Sequence, residues 1–260
     1  MNQEEGTSME PVSRAAGVPD VARVEPSQRW VRVEFNGQIV ADSKRPLLVW
    51  PKEHPLPAYY FPWDDVDGEA LTPNRHSGDG KQYYDLRVAN RQAEAAVWRY
   101  PDDTDFGLSD YVSFKWNKMD HWYEEEQEIF AHPRDPYHRV DAVPSSRHIE
   151  VLVDGVKVAD TQRPVLVFET GLPVRYYIPQ EDIRMALLEP TQAISYCAYK
   201  GAASYWSVSA GTDTRRNLVW GYLEPVPEMP RIKDLLSFFN EKVDIYVDGE
   251  LEQRPQTYWS

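Results

Sequence analysis

At 260 residues, with 42 acidic against 28 basic side chains and a formal net charge of −14, the chain repels a phosphate backbone unless it carries a strong local basic patch. Its densest basic stretch interleaves Arg134, Arg139 and Arg147 with Asp135 and Asp141, which excludes nucleic acid as an expected partner. A single cysteine, Cys197, rules out an internal disulfide framework and a multi-cysteine zinc site and fits a reducing compartment.

No apolar run reaches the length of a membrane span, and the start of the chain lacks the basic-then-apolar order of a secretory signal, so no membrane association and a cytoplasmic location are expected. Residues 1–29 are polar, contain proline and lack periodicity, the pattern of a disordered tail. Beyond them the chain is rich in strand-forming aromatics, with 9 Trp and 16 Tyr, and is cut into short elements by 21 Pro.

Arg32-Val33-Glu34-Phe35-Asn36-Gly37-Gln38-Ile39-Val40-Ala41-Asp42-Ser43 begins a pattern that returns at Glu150-Val151-Leu152-Val153-Asp154-Gly155-Val156-Lys157-Val158-Ala159-Asp160-Thr161. Asn-Gly and Asp-Gly between β-branched runs predict tight hairpins, because both central positions of a type I′ turn need positive φ. The echo continues from Leu47-Leu48-Val49-Trp50 to Val165-Leu166-Val167-Phe168, and from Tyr60-Phe61-Pro62 to Tyr177-Ile178-Pro179. Farther on, Tyr83-Tyr84 matches Tyr205-Trp206, Val97-Trp98-Arg99-Tyr100 matches Val219-Trp220-Gly221-Tyr222, and Ser113-Phe114 matches Ser237-Phe238. Such self-similarity marks a tandem duplication. The expected organisation is a first copy over residues 30–131, an ordered connector over 132–146 and a second copy over 147–260.

Most matched segments are short, rich in Val, Ile, Tyr and Trp, and bounded by turn residues, which predicts an all-β fold of two small curled barrels. One short helix is expected near the C-terminus, where Ile232, Leu235, Leu236 and Phe239 recur at i, i+3, i+4 and i+7 after Pro230. Trp122 to Glu128 reads as one strand, whose alternation sets Glu125 on the face opposite Glu124 and Glu126.

Val-Ala-Asp-Ser/Thr at 40–43 and 158–161, Arg175-Tyr176-Tyr177-Ile178-Pro179, Cys197-Ala198-Tyr199-Lys200-Gly201 and His132-Pro133-Arg134-Asp135-Pro136-Tyr137 together resemble the bacterial domain-of-unknown-function family 427, in tandem form, over about residues 30–257. The resemblance implies a compact β fold of the β-tent kind and carries a nucleotidyltransferase-like label. Ala198 stands where that family usually has proline.

In a duplicated chain the residues common to both copies mostly serve the fold, and polar residues confined to one copy or to the connector are the better functional candidates. Glu169 stands where the first copy has Pro51, Arg175 where it has Pro57 or a neighbour, and Cys197 and Lys200 have no counterpart in Asn74-Arg75-His76-Ser77-Gly78-Asp79-Gly80. A thiol near an ammonium has its thiolate stabilised, although a free cysteine is more commonly a small buried hydrophobe. The connector His132 to Asp141 is too dense in ionisable groups for a flexible linker. It reads foremost as an ion-paired clamp between the copies, with His132 or His138 as an acid or base in a functional reading.

These residues define the expected site, a cleft between the copies. Glu125, His132, Glu169, Cys197 and Lys200 are the catalytic candidates, and Arg134, Arg175, Tyr177 and Trp206 would hold an anionic small molecule. No metal or cofactor is expected, and a monomer is expected because each copy can serve as the other's partner. Nucleotidyl transfer is the first alternative, though the chain lacks the Gly-rich cradle and clustered carboxylates of that chemistry. A noncatalytic scaffold for protein partners is the second.

Overall fold

The computed structural model describes residues 23–51, 56–75, 81–100, 107–210 and 213–257, in two compact units, Met1–Pro133 and Arg134–Ser260. In the first unit the strands are β1 (Arg23–Pro26), β2 (Val31–Phe35), β3 (Gln38–Ser43), β4 (Leu47–Trp50), β5 (Ala58–Pro62), β6 (Leu71–Pro73), β7 (Gln82–Val88), β8 (Arg91–Arg99), β9 (Tyr111–Phe114), β10 (His121–Glu124) and β11 (Gln127–Ile129). They form a seven-stranded sheet in the order β1-β4-β5-β9-β8-β7-β6 and a four-stranded sheet in the order β11-β10-β2-β3.

The second unit repeats this with β12 (Val140–Pro144), β13 (Ile149–Val153), β14 (Val156–Thr161), β15 (Val165–Glu169), β16 (Arg175–Pro179), β17 (Leu188–Cys197), β18 (Gly201–Ala210), β19 (Asp213–Gly221), β20 (Leu235–Phe238), β21 (Asp244–Val247) and β22 (Glu250–Leu251). Its sheets run β12-β15-β16-β20-β19-β18-β17 and β14-β13-β21-β22. The fold is therefore all-β and duplicated, as the sequence predicts, but no sheet closes into a barrel.

The predicted hairpin turns form for the expected reason. Asn36 and Gly37 have φ of 50° and 74°, and Asp154 and Gly155 have φ of 50° and 78°, the left-handed conformation that Asn, Asp and Gly tolerate best. Along β2 and β13 every second residue is buried, the period-2 signature of a sheet with one face on a core.

In each unit that core is shared by both sheets. Val31, Val33, Phe61, Phe114 and Trp122 belong to the first, and Ile149, Val151, Ile178, Phe238 and Ile245 to the second. Trp116 and Trp122 stack with centroids 4.3 Å apart in the first core. A second, smaller aromatic cluster covers the other face of each seven-stranded sheet, with Val49 and Tyr60 in one and Val167, Tyr177, Trp220 and Tyr222 in the other.

Four expectations need correction. The apolar stripe at Ile232–Phe239 is no α-helix: a 3-10 turn at Pro230–Ile232 is followed by the strand β20, paired with both β16 and β19. Glu125 does not lie in a strand but in the β10–β11 hairpin turn, with φ of 52°. Arg23–Pro26, read as tail, pairs with β4, whereas residues 1–22 lie outside the described residues. Val140–Pro144, read as connector, pairs with β15 as the equivalent edge strand of the second unit. Among the described residues no helix is long and apolar enough to cross a membrane.

Candidate functional site

The residues common to both units make common contacts. Trp98 Nε1 donates to the Tyr60 hydroxyl at 3.2 Å, and Trp220 Nε1 donates to the Tyr177 hydroxyl at the same distance. Ser43 and Arg45 hold Asp65 just as Thr161 and Arg163 hold Asp182. Tyr177, a substrate-binding candidate, is thus a buried scaffold residue whose phenol is raised in pKa chiefly by burial.

The second unit departs from this symmetry at Glu169. There β15 runs one residue farther than β4, which stops before Pro51, and alternation from Val165 through Val167 turns the Glu169 side chain to the tyrosine-lined face. That side chain is only 8% exposed. Its Oε2 accepts from Lys200 Nζ, itself 9% exposed, and its Oε1 meets His138 Nε2 at 3.0 Å. Burial alone would push the carboxyl's pKa up; the Lys200 charge and the hydrogen bonds from Lys200 and His138 outweigh it, and the net shift is downward. Glu169 is therefore an ionised acceptor, and a neutral His138 that donates Nε2–H to it presents Nδ1 as a lone pair. Nδ1 has no hydrogen-bond partner among the described residues.

Local structure fixes these groups. The His138 ring stacks on Tyr199 with centroids 4.3 Å apart. The Tyr199 hydroxyl accepts from the Asp135 amide at 2.8 Å, and burial pushes its pKa up to about 12. Arg134 Nε donates to the Ala198 carbonyl at 2.9 Å, and its NH1 pairs with Glu228. Gly201 follows Lys200 with φ of 103°, and a Cβ there would lie 3.3 Å from the Glu224 carbonyl oxygen. A residue without a side chain lets the Lys200 turn close against that segment.

Of the nine residues singled out from the sequence, Glu169, Lys200 and Arg134 converge here, with Tyr177 beneath them on the same sheet face. Cys197 packs half-buried against the same tyrosine cluster, but the Lys200 ammonium is engaged by Glu169. Arg175 forms a two-pronged buried pair with Glu241, NH1 to Oε2 at 2.8 Å and NH2 to Oε1 at 2.6 Å, and also reaches Asn240. Trp206 faces the core between the sheets, and its neighbour Tyr205 faces the tyrosine cluster.

Glu125 and His132 belong to the first unit. Glu125 Oε1 accepts from the Trp30 amide at 2.9 Å, and His132 Nδ1 lies 2.7 Å from the Pro133 carbonyl oxygen. His138, an acid or base in the functional reading but not among those nine, joins Glu169 here and stacks on Tyr199; Tyr199, Tyr205 and Glu241 also stand outside the nine. Strand alternation already favoured Tyr205, since Trp206 and Tyr205 cannot share a face.

Two open surface depressions, of about 350 Å³ beside Arg147, Asp248 and Glu252 and about 250 Å³ beside Pro173, Tyr176 and Asn240, lie away from Glu169. Among the described residues, His148, Glu150 and Asp160 have donor atoms within 4.8 Å of one another, as a metal would require. The Lys157 ammonium already bonds both carboxylates, so the local positive charge is supplied from within.

The model of the family described as "Domain of unknown function (DUF427)" matches the chain twice, over residues 23–125 and 141–249. Its two segments reproduce the two units found in the fold. A comparison with curated proteins returns no match.

Proposed function

Because the chain belongs to the DUF427 family in both of its halves, and that description assigns no chemistry, we propose from the site alone that the protein binds a small molecule in its second repeat and handles a proton there. The observation that carries this reading is the ionised, buried Glu169 shared by Lys200 and His138, with His138 Nδ1 unengaged. A carboxylate that fixes one imidazole nitrogen leaves the other as an oriented proton acceptor, the arrangement general acid–base catalysis requires. Lys200 neutralises Glu169, so an incoming anion meets little repulsion there. The residues that form the proposed site all belong to the unit Arg134–Ser260.

A panel of small organic acids and alcohols, screened by thermal shift, is expected to yield ligands that raise the melting temperature of the native protein. Glu169→Gln and His138→Gln should abolish that response with the circular dichroism spectrum unchanged. A response of equal size in both variants removes the assignment.

A second reading is favoured by how completely Arg134, Asp135 and His138 tie their segment to the Ala198–Lys200 turn and Glu169. In that reading the cluster is a structural latch. It predicts that His138→Gln accelerates amide exchange across residues 134–139 and that no panel compound stabilises the native protein.

A further inference from the structure

The first repeat breaks the symmetry in its own way, at Arg99. This residue follows Val97 by two on β8, so its side chain lies on the core-facing side, flanked by Gln82 on β7 and Val112 on β9. Its guanidinium lies 5.6 Å from the centre of the Trp63 ring, and Trp63 in turn packs on Tyr84 at 5.4 Å. Its Nε is fully buried and has no hydrogen-bond partner, and no carboxylate pairs with it among the described residues.

Arg32 Nε is likewise buried without a hydrogen-bond partner, so the exception at Arg99 lies in the lack of an ion pair. The other four described arginines that are partly or wholly buried each carry an ion pair: Arg23 with Glu25, Arg32 with Glu126, Arg134 with Glu228 and Arg175 with Glu241. The chain carries 42 acidic residues, yet none of the described ones pairs with Arg99. A cation kept partly out of water without a counter-charge is costly, and a cation–π contact offsets only part of that cost. The second repeat has Gln180, at the start of a 3-10 turn, where the first has Trp63, and Gly221 on β19 where the first has Arg99, so this pair is not required by the fold.

We propose that Arg99, beside Trp63, is an oxyanion site of the first repeat, for a carboxylate or phosphate group on a small molecule whose apolar body rests against Trp63. The chemistry is that of the guanidinium fork, whose in-plane N–H groups bind two oxygens of one anion. The site is separate from the Glu169 cluster and stands or falls without it.

The test is a titration of the full-length protein with inorganic phosphate and, separately, with acetate at constant ionic strength, following the arginine Nε–Hε resonances by NMR. One resonance is expected to shift saturably and to be missing from the spectrum of Arg99→Gln. Arg99→Lys, which keeps the charge and loses the fork, should weaken binding several-fold as read by thermal shift, and Trp63→Ala should do the same. Preference for phosphate identifies a phosphoryl source and preference for acetate a carboxylate source; either supports the site. No saturable shift with either anion, or stabilisation by phosphate that is equal in Arg99→Gln and the native protein, overturns it.

Discussion

The two repeats share a backbone and differ in where they keep their charges. In the first, position 58 is Ala, position 51 is Pro and Arg99 lies beside Trp63 without an ion pair among the described residues; in the second, the equivalent positions hold Arg175, Glu169 and Gly221, and both charges are buried in pairs. What stays constant is the set of contacts that closes the fold, such as the Trp–Tyr hydrogen bond of 3.2 Å in each unit. Duplication thus separates two roles that a single domain would confound. A polar contact present twice holds strands together, and one present once is free to do chemistry or to compensate a local departure.

The largest test of that distinction is Arg175→Ala, which leaves Glu241 buried without its partner. The Glu241 side chain is fully buried, so a loss of roughly 3–5 kcal/mol is expected, read from urea unfolding; Ala58→Gly, at the equivalent position, should cost far less. A loss under 1 kcal/mol for Arg175→Ala would place this pair among the dispensable surface ones.

The same pair sets an acid limb. Burial pushes the Glu241 carboxyl up, but the hydrogen bonds from Arg175 and Thr257 and the Arg175 charge reverse this and hold it at about 2. A depressed folded-state pKa contributes stability that is complete above the unfolded value near 4.5 and disappears as pH falls toward 2. The double variant Arg175→Met/Glu241→Met should therefore show a shallower fall in unfolding free energy below pH 4.5 than the native protein.

The smallest expected effects belong to the duplicated surface pairs. Arg45→Ala and Arg163→Ala remove equivalent exposed contacts, to Asp65 and Asp182. Each should leave the unfolding free energy almost unchanged, because solvent screens exposed ion pairs, and the two small effects should agree within error. A large difference between them would show that the repeats are less equivalent than their contacts indicate.

Much of the fold was legible because hairpin turns declare themselves locally. Asn36-Gly37 and Asp154-Gly155 need no tertiary context to be read. Residues 232–239 were misread because Leu235–Phe238 forms a strand buried within the sheet, with Ser237 among its buried residues, and a short, mainly apolar segment satisfies a helical spacing as easily as a strand. The repeat itself held the correction, since Ser237-Phe238 matches Ser113-Phe114 and both copies had to adopt one structure.

Glu169 and Lys200 were visible as breaks in the symmetry. His138 was harder to single out, because its role depends on a contact 31 residues away in sequence, which no local pattern encodes. The Glu241 partner of Arg175, 66 positions distant, was invisible for the same reason.

One more difference bears on how such repeats can be recombined. In the first unit the Tyr59 hydroxyl donates to Glu124 on β10, at 2.7 Å. In the second the equivalent Tyr176 donates to Glu252, just past β22, at 2.5 Å, and the position equivalent to Glu124 is Val247. The same need is met from two places on one hairpin. Grafting the whole first hairpin into the second repeat would carry its own solution along, whereas changing Val247 alone to Glu would crowd two carboxylates around one phenol. The unit of exchange between these repeats is the hairpin, and sequence averaging residue by residue would produce a chain that neither half tolerates.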